Sequence, residues 1–326
     1  MSKLDELIKE LCPNGVEYKE LKDICEISRG KIISKDYIRD NPGVYPVYSS
    51  QTENEGNLGN ISTYDYDGEY LTWTTDGANA GTVFYRNAKF NVTNVCGLLK
   101  VKIKSVISKF LYYFLVIKAP KYVNEGMGNP KLMSNVMERI KVPVPPLEIQ
   151  KEIVRILDNF LDIISELIEE LTIRKKQYSW YRDYLLKFEN KIEIVILGDI
   201  VEVYDGTHQT PDYKKTGIPF ISVENIDNIY NTEKYISEED YEKNYRIKPK
   251  IDDIFMTRIG TIGKCAIVTK NNPLAYYVSL ALLRPNKNKI DSAYLKYIIE
   301  SGIGKKELNK RILFTAVPIK INKGDI

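Results

Sequence analysis

LEIQKEIVRILDNFLDIISELIEELTIRKKQYSWYRDYLLKF, residues 147–188, contains neither glycine nor proline and directly follows VPVPP at 142–146. Proline fixes φ and turns the residue before it away from helix, so VPVPP reads as an extended run that stops where a helix can start. About forty helical residues at ~1.5 Å each span roughly 60 Å. Ile153, Ile156, Phe160, Ile163 and Leu167 recur at coiled-coil spacing along it, and a second stripe, Leu157, Leu161, Ile164, Ile168 and Leu171, widens the apolar face. The stretch predicts a long spacer helix that packs against more than one partner helix.

On either side of this helix the chain says nearly the same thing. ELKDICEISRG at 20–30 is answered by ILGDIVEVYDG at 196–206, with Leu21, Asp23, Ile24, Glu26 and Gly30 matching Leu197, Asp199, Ile200, Glu202 and Gly206. YPVYSS (45–50) is answered by IPFISV (218–223), TDGANAGTVFY (75–85) by TRIGTIGKCAIV (257–268), and FLYYFL (110–115) by YLKYII (294–299). The offset is far longer than any solenoid period, so this is a duplicated domain. Turn signals at Asn41-Pro42-Gly43, Asp67-Gly68, Asp205-Gly206 and Asn271-Asn272-Pro273 separate short strands, and a helix closes each copy. The predicted fold class is α+β: two similar mixed α/β domains separated by a long coiled-coil helix. Ser2 to Leu11 reads as a short N-terminal helix with Ser2 as its cap, ended by Cys12-Pro13-Asn14-Gly15. Two similar modules on a spacer suit a long, roughly two-fold ligand, for which DNA is the obvious candidate.

Composition is consistent with this. A chain of 326 residues, 43% hydrophobic and 28% charged, can build two cored domains and a connector. No run is long and apolar enough for a membrane span and the N-terminus lacks a signal-peptide core, so a soluble, cytoplasmic protein is expected. A net charge of +3 with pI near 8.4 requires any basic surface to be local. The 24 tyrosines favour strands. Cys12, Cys25, Cys96 and Cys265 lack metal-site spacing and read as buried small hydrophobes.

Catalytic patterns are missing where they would be needed. The single histidine, His208, cannot build a histidine metal cluster within the chain. IGTIGK (259–264) falls short of a phosphate loop, because Arg258 stands where the first glycine belongs and Cys265 where Ser or Thr is required. Asn41-Pro42-Gly43 and Asn129-Pro130-Lys131 both lack the second proline of an adenine methyltransferase motif, and Pro211-Asp212 has no downstream Asp/Glu-x-Lys to make a metal nuclease. A binding protein without catalytic or metal residues is expected.

LCPNGVEYKELKDICEISRG (11–30), IKVPVPPLEIQKEIVRILDNF (140–160) and GTHQTPDYKKTGIPFISVENI (206–226) together resemble, in order and over essentially the whole chain, the specificity subunits of type I restriction-modification systems. The resemblance implies two target-recognition domains at residues 1–145 and 191–326, each reading one half of a split double-stranded DNA target, and a conserved helix at 146–190 that docks modification subunits and, through them, restriction subunits. It implies no cofactor in this chain; S-adenosylmethionine, ATP and Mg would sit on partner subunits that form the adenine methyltransferase and endonuclease. The family closes its second domain with another proline-rich transition and helix, and the sequence stops at Lys323-Gly324-Asp325-Ile326, about where these would begin. The long helix is therefore expected to associate with itself or with a modification subunit. The alternative is a truncated coiled-coil adaptor that joins modification subunits without DNA specificity of its own.

DNA-reading residues are expected on loops, where polar side chains reach base edges and cations reach phosphates. In the first domain these are Ser49, Ser50, Gln51, Asn54, Thr75, Asp76, Asn79, Asn129 and Lys131. In the second they are His208, Gln209, Lys214, Glu224, Asn225, Arg258, Thr261 and Lys264. Arg258 leads, because arginine can address guanine with two hydrogen bonds. Gly77, Gly81, Gly260 and Gly263 are expected to shape tight turns beside the phosphates.

Overall fold

The computed structural model describes residues 2–126, 128–188 and 194–326. The chain divides into two compact units, Met1–Leu167 and Ile168–Ile326. The expected boundary at residues 190 and 191 lies outside the described residues.

The first unit opens with the predicted helix, Lys3–Leu11, whose Ser2 hydroxyl accepts from the Asp5 amide while the Asp5 carboxylate accepts from the Ser2 amide. The strands that follow are β1 (Tyr18–Glu20), β2 (Cys25–Arg29), β3 (Pro42–Tyr48), β4 (Asn57–Ile61), β5 (Tyr66–Thr74), β6 (Val83–Val92), β7 (Cys96–Val101) and β8 (Lys141–Pro143). β2-β7-β5-β6-β3-β4 form one sheet, antiparallel except where β3 runs parallel to β6, and β1 pairs antiparallel with β8. The Leu-x-Asp-Ile motif that opens the module is a helical turn rather than strand, and it buries Leu21 and Ile24 completely. Leu71, Trp73 and Leu99 pack with Leu111 and Leu115 of the helix Ser108–Lys118 to make the core. The expected turn at Asp67-Gly68 lies inside β5. Its ladder to β6 continues through both residues, which pair with Lys89 and Ala88, and Gly68 absorbs the irregularity at φ +107°.

The second unit repeats this plan with a break. Its strands are β9 (Val201–Asp205), β10 (Ile218–Ile221), β11 (Tyr235–Ile236), β12 (Ile254–Thr257), β13 (Cys265–Ile267), β14 (Ala275–Tyr276) and β15 (Leu280–Pro285). β13-β12-β15-β9 reproduces the order β6-β5-β7-β2, and β14-β10-β11 reproduces β6-β3-β4 with the same parallel pair. One long strand in the first unit, β6, corresponds to two short ones in the second. Asn271-Asn272-Pro273 lies between them, and proline cannot donate to a ladder. The helix Ser292–Glu300 buries Leu295 and Ile299, as Ser108–Lys118 buries Leu111 and Leu115. At Gly30 and Gly206 an added Cβ would strike the Val92 and Tyr276 carbonyl oxygens respectively, at 1.8 and 2.4 Å, so both glycines are fixed by the same backbone crossing.

The long helix runs Leu147–Leu185. Gln150, wholly buried, ties down its start: its amide nitrogen donates to the Ser105 and Pro145 carbonyls, and its oxygen accepts from the Ile107 amide, all at 2.7 to 2.9 Å. Glu152 pairs with Arg155 at 2.6 Å and with Lys3 at 3.4 Å, and the Arg155 hydrogen bond holds its carboxyl down at about 2. Asp158 accepts from Lys109 and Tyr113 of the helix Ser108–Lys118. At the far end, within the second unit, Asp183 accepts from the Gly302 amide at 3.1 Å. Between these anchors Phe160, Leu161, Ile163, Ile164, Leu167, Ile168 and Leu171 are all exposed, whereas Ile153, Ile156 and Leu157 are half-buried. Cys25, Cys96 and Cys265 are buried and Cys12 is half-buried; burial pushes the Cys25 and Cys96 thiols up to about 12. Among the described residues no helix is long and apolar enough to cross a membrane, and no cluster of His, Cys, Asp and Glu could hold a metal ion.

Candidate nucleic-acid interface

In each unit the strand β5 or β12 ends on a threonine that organises a glycine loop. The Gly81 amide donates to the Thr74 carbonyl at 2.9 Å, and the Gly263 amide to the Thr257 carbonyl at 2.9 Å. The hydroxyls accept the next amides, Thr82 onto Thr74 and Lys264 onto Thr257, both at 3.0 Å. Thr74, not Thr75, is thus the structural counterpart of Thr257, a one-residue shift from the sequence pairing that hydrogen bonding fixes. It makes Thr75 the partner of Arg258 and Asp76 the partner of Ile259.

A second segment closes each loop from outside. The Gly77 amide donates to Pro130 at 3.0 Å and the Leu132 amide to Thr75 at 2.9 Å; the Gly260 amide donates to Ile319 at 2.8 Å and the Ile321 amide to Arg258 at 2.9 Å. Asp76 bridges to Lys131 and Asn124 to Lys131; Ile259 bridges to Lys320 and Leu313 to Lys320. Sequence reasoning missed Lys320, and the signal was there: Pro130-Lys131-Leu132 recurs as Ile319-Lys320-Ile321. Gly77 and Gly260 both hold positive φ, +95° and +76°, with open space where a Cβ would stand. At Gly81 and Gly263, also at positive φ, an added Cβ would instead come within 2.8 Å of the Val123 and Leu308 side chains. One glycine of each loop is packed inward while the other faces outward.

The first unit brings most of its expected residues together. The Thr75 amide donates to Ser50 at 3.0 Å, the Thr75 and Ser50 hydroxyls both donate to the Val95 carbonyl, and Asn79 donates to Thr52 at 2.9 Å. The Ser49 hydroxyl accepts from Thr93 at 3.1 Å, and Gln51 donates to the Asn57 carbonyl at 2.6 Å. Thr75 is buried, and Ser49, Ser50, Gln51 and Asp76 are half-buried, so these build the platform. Asn54, Asn79, Asn129 and Lys131 are exposed on it. Asn54 and Glu55 both hold positive φ. Behind them Arg86, 5% exposed, stacks 3.5 Å from the Tyr48 ring centroid and donates to the Glu55 carbonyl, fixing that strained turn.

In the second unit Arg258 is not on the surface. It is 5% exposed; Nη1 donates to the Ile321 carbonyl at 2.9 Å, and Nη2 lies 3.0 Å from the Asp205 carboxylate, meeting it as a charge rather than in an aligned hydrogen bond. Leu132 is the counterpart of Ile321, and there the indole of Trp73 makes the same bond, Nε1 to the Leu132 carbonyl at 3.0 Å. A buried carbonyl left without a donor is costly, and each module supplies one from a different side chain. Arg258 is a brace, and its place in the fold leaves no guanidinium edge for a base. Asn225 is likewise committed, accepting from the Ser222 amide and donating to the Asn231 carbonyl. Lys214 pairs with Asp212, Glu224 with Lys234 and Lys264 with Asp227. His208, Gln209 and Thr261 are exposed, with His208 Nε2 at 3.8 Å from Asp205.

The sequence that builds this doubled frame matches a known domain twice. The model of the type I restriction modification DNA specificity domain covers residues 13–174 and again 189–326. The chain belongs to the type I restriction-modification specificity subunits. Among curated relatives, a Mycoplasma pneumoniae protein described as a type I specificity subunit, S.MpnORF507P, is 40% identical over 249 residues, covering 75% of this chain and 67% of its own length. The specificity subunit of the type I restriction enzyme MpnII from the same organism is 50% identical over 173 residues, 52% of each chain. The matches thus span about half to two thirds of these relatives. The crystal structure of a type I restriction-modification S subunit from M. genitalium has the same fold, with a TM-score of 0.56 at 15% identity over 94% of this chain and 82% of that one. As a specificity subunit the chain carries two DNA-recognition domains, one on either side of the long helix.

Proposed function

We propose that each domain, taken as residues 1–145 and 191–326, reads one half of a bipartite DNA target, and that the helix at 146–190 docks modification subunits that in turn recruit restriction subunits. The observation that carries this is the doubled frame: both modules hold their glycine loop with the same three backbone bonds and one amide bond to the threonine hydroxyl, while the exposed residues on it differ. A shared scaffold with divergent loops is what two readers of different sequences require. The exposed Asn54 and Asn129 in the first domain, and Gln209 and Thr261 in the second, are the side chains best placed to address base edges; Asn79, exposed but donating to Thr52, and His208, beside Asp205, reach them from the same loops. Ser49, Ser50, Gln51, Thr75, Asp76 and Asn225 set the loops that carry them, and Lys214, Glu224 and Lys264 act from the rim, where each is already paired. The chain itself is non-catalytic, and S-adenosylmethionine, ATP and Mg act on the partner subunits of a cytoplasmic complex. Phe160, Leu161, Ile163, Ile164, Leu167, Ile168 and Leu171, continued by Ile153, Ile156 and Leu157, form the docking stripe.

Co-expression with the modification subunit, followed by mapping of methylated adenines, tests this. A split motif with two specified halves is expected. A continuous motif would remove the two-reader assignment, and methylation that does not depend on this chain would favour the adaptor reading.

A further inference from the structure

We propose that Lys131 and Lys320 are matched DNA-phosphate anchors, one per module, that set the register of each domain on the duplex without reading sequence. The inference rests on the DNA-reading assignment and assigns a role within it. Three observations and one point of chemistry carry it.

The two lysines occupy one position in the shared frame. Lys131 bridges to Asp76 and Asn124, and Lys320 to Ile259 and Leu313, which are counterparts. Their neighbours in the frame have diverged: Thr75 against Arg258, Asp76 against Ile259, Asn124 against Leu313. The lysine has not.

Their charges are uncommitted. Among the described residues neither side chain enters a hydrogen bond or an ion pair, whereas Lys214, Lys234 and Lys264 in the second domain are each held by a carboxylate. Lys131 is exposed and Lys320 partly so.

Each stands beside the outward glycine of its loop, Gly77 or Gly260, whose amide is fixed by the residue preceding the lysine and whose missing Cβ leaves room for close approach.

The chemistry then discriminates. Two domains that read different half-sites share only one feature of the ligand, the sugar-phosphate backbone. A residue kept identical at the same place in both cannot be what tells the half-sites apart. Lysine presents a compact point charge with three rotatable donors, suited to a phosphate oxygen and poorly suited to specifying a base edge.

The test uses the complex with modification subunits and a duplex carrying its mapped methylation motif. Binding is measured across a salt series for the wild type, Lys131→Ala, Lys320→Ala and the double variant. Each phosphate contact removed should lower the slope of log K against log salt by about 0.9, so by about 1.8 in the double variant, and weaken binding about fivefold per lysine near physiological salt. Lysine-to-arginine variants should restore the slope. The methylated motif should stay the same in every variant, and thermal unfolding should not change, since neither side chain makes an internal bond. An unchanged slope with a bipartite wild-type motif overturns the anchors alone, and so does degeneracy appearing in one half of the motif. A wild-type complex whose methylation shows no bipartite motif overturns the DNA-reading assignment together with the anchors.

Discussion

Arg258 and Arg86 are the two arginines whose burial decides what they can do. Arg258 satisfies the Ile321 carbonyl and balances Asp205, so Arg258→Ala leaves a carbonyl and a half-buried carboxylate unpaired. A loss of about 3 kcal/mol in the second unit is expected. Thermal unfolding checks it, and a variant as stable as the wild type would show that the brace contributes little. Arg86 holds the Glu55 carbonyl and stacks on Tyr48 and Phe84, so Arg86→Ala should cost about 2 to 4 kcal/mol and release residues 53–56. Faster amide exchange at those residues would accompany it. Arginine in a glycine-flanked loop reads from sequence as a base reader because its forked donors suit guanine. The sequence does not show that a main-chain carbonyl sixty-three residues away needs a donor, which Trp73 supplies in the other module. Lys131 lies in a polar loop, where cations are readily singled out; Lys320 lies in the apolar run Val317-Pro318-Ile319-Lys320-Ile321, and only the alignment of Ile319-Lys320-Ile321 with Pro130-Lys131-Leu132 marks it.

At the scale of elements, the long helix and the two closing helices were legible because helical periodicity is local and proline-rich VPVPP marks a start. The strands of the second unit were harder to see, since the division of one long strand into β13 and β14 depends on a register only the sheet defines. How the helix is held at its start was not legible at all. Gln150 looks like any polar helix residue, yet its side chain bonds three backbone groups from two segments. Gln150→Leu, near in size but without donor or acceptor, strands the Ile107 amide and the Ser105 and Pro145 carbonyls. A cost of about 2 to 4 kcal/mol is expected by chemical denaturation, with the helix itself retained by circular dichroism. Glu152 adds a pH signature. Its folded carboxyl lies at about 2 against 4.5 in its ordinary state, so its contribution is fully present above 4.5 and fades as pH falls toward 2. The gap in melting temperature between wild type and Glu152→Gln should therefore be constant at neutral pH and narrow below pH 4.5. A gap that widened on acidification would mean that another group controls this junction.

For the molecule as a whole, the exposed stripe on the long helix is the feature that calls for a partner. Phe160, Leu161, Ile163, Ile164, Leu167, Ile168 and Leu171 each keep about half or more of their surface in water, on one continuous helix. Burying apolar surface is worth about 25 cal/mol per Å², so seven such side chains brought against another helix outweigh the freedom lost on association. The stripe repeats at coiled-coil spacing, so a second copy of this helix, or a helix of a modification subunit, fits it. In isolation the purified chain should therefore sediment as an oligomer in a concentration-dependent way. Leu161→Glu, Ile164→Glu and Ile168→Glu together should convert it to a monomer and abolish capture of modification subunits. The helical signal in circular dichroism and the melting of both units should be kept, since none of the three side chains is buried within either unit. A wild-type chain that remained monomeric at high concentration, with its helix intact, would instead assign the stripe to the modification subunit alone, and a triple variant that still captured that subunit would remove the helix from docking altogether.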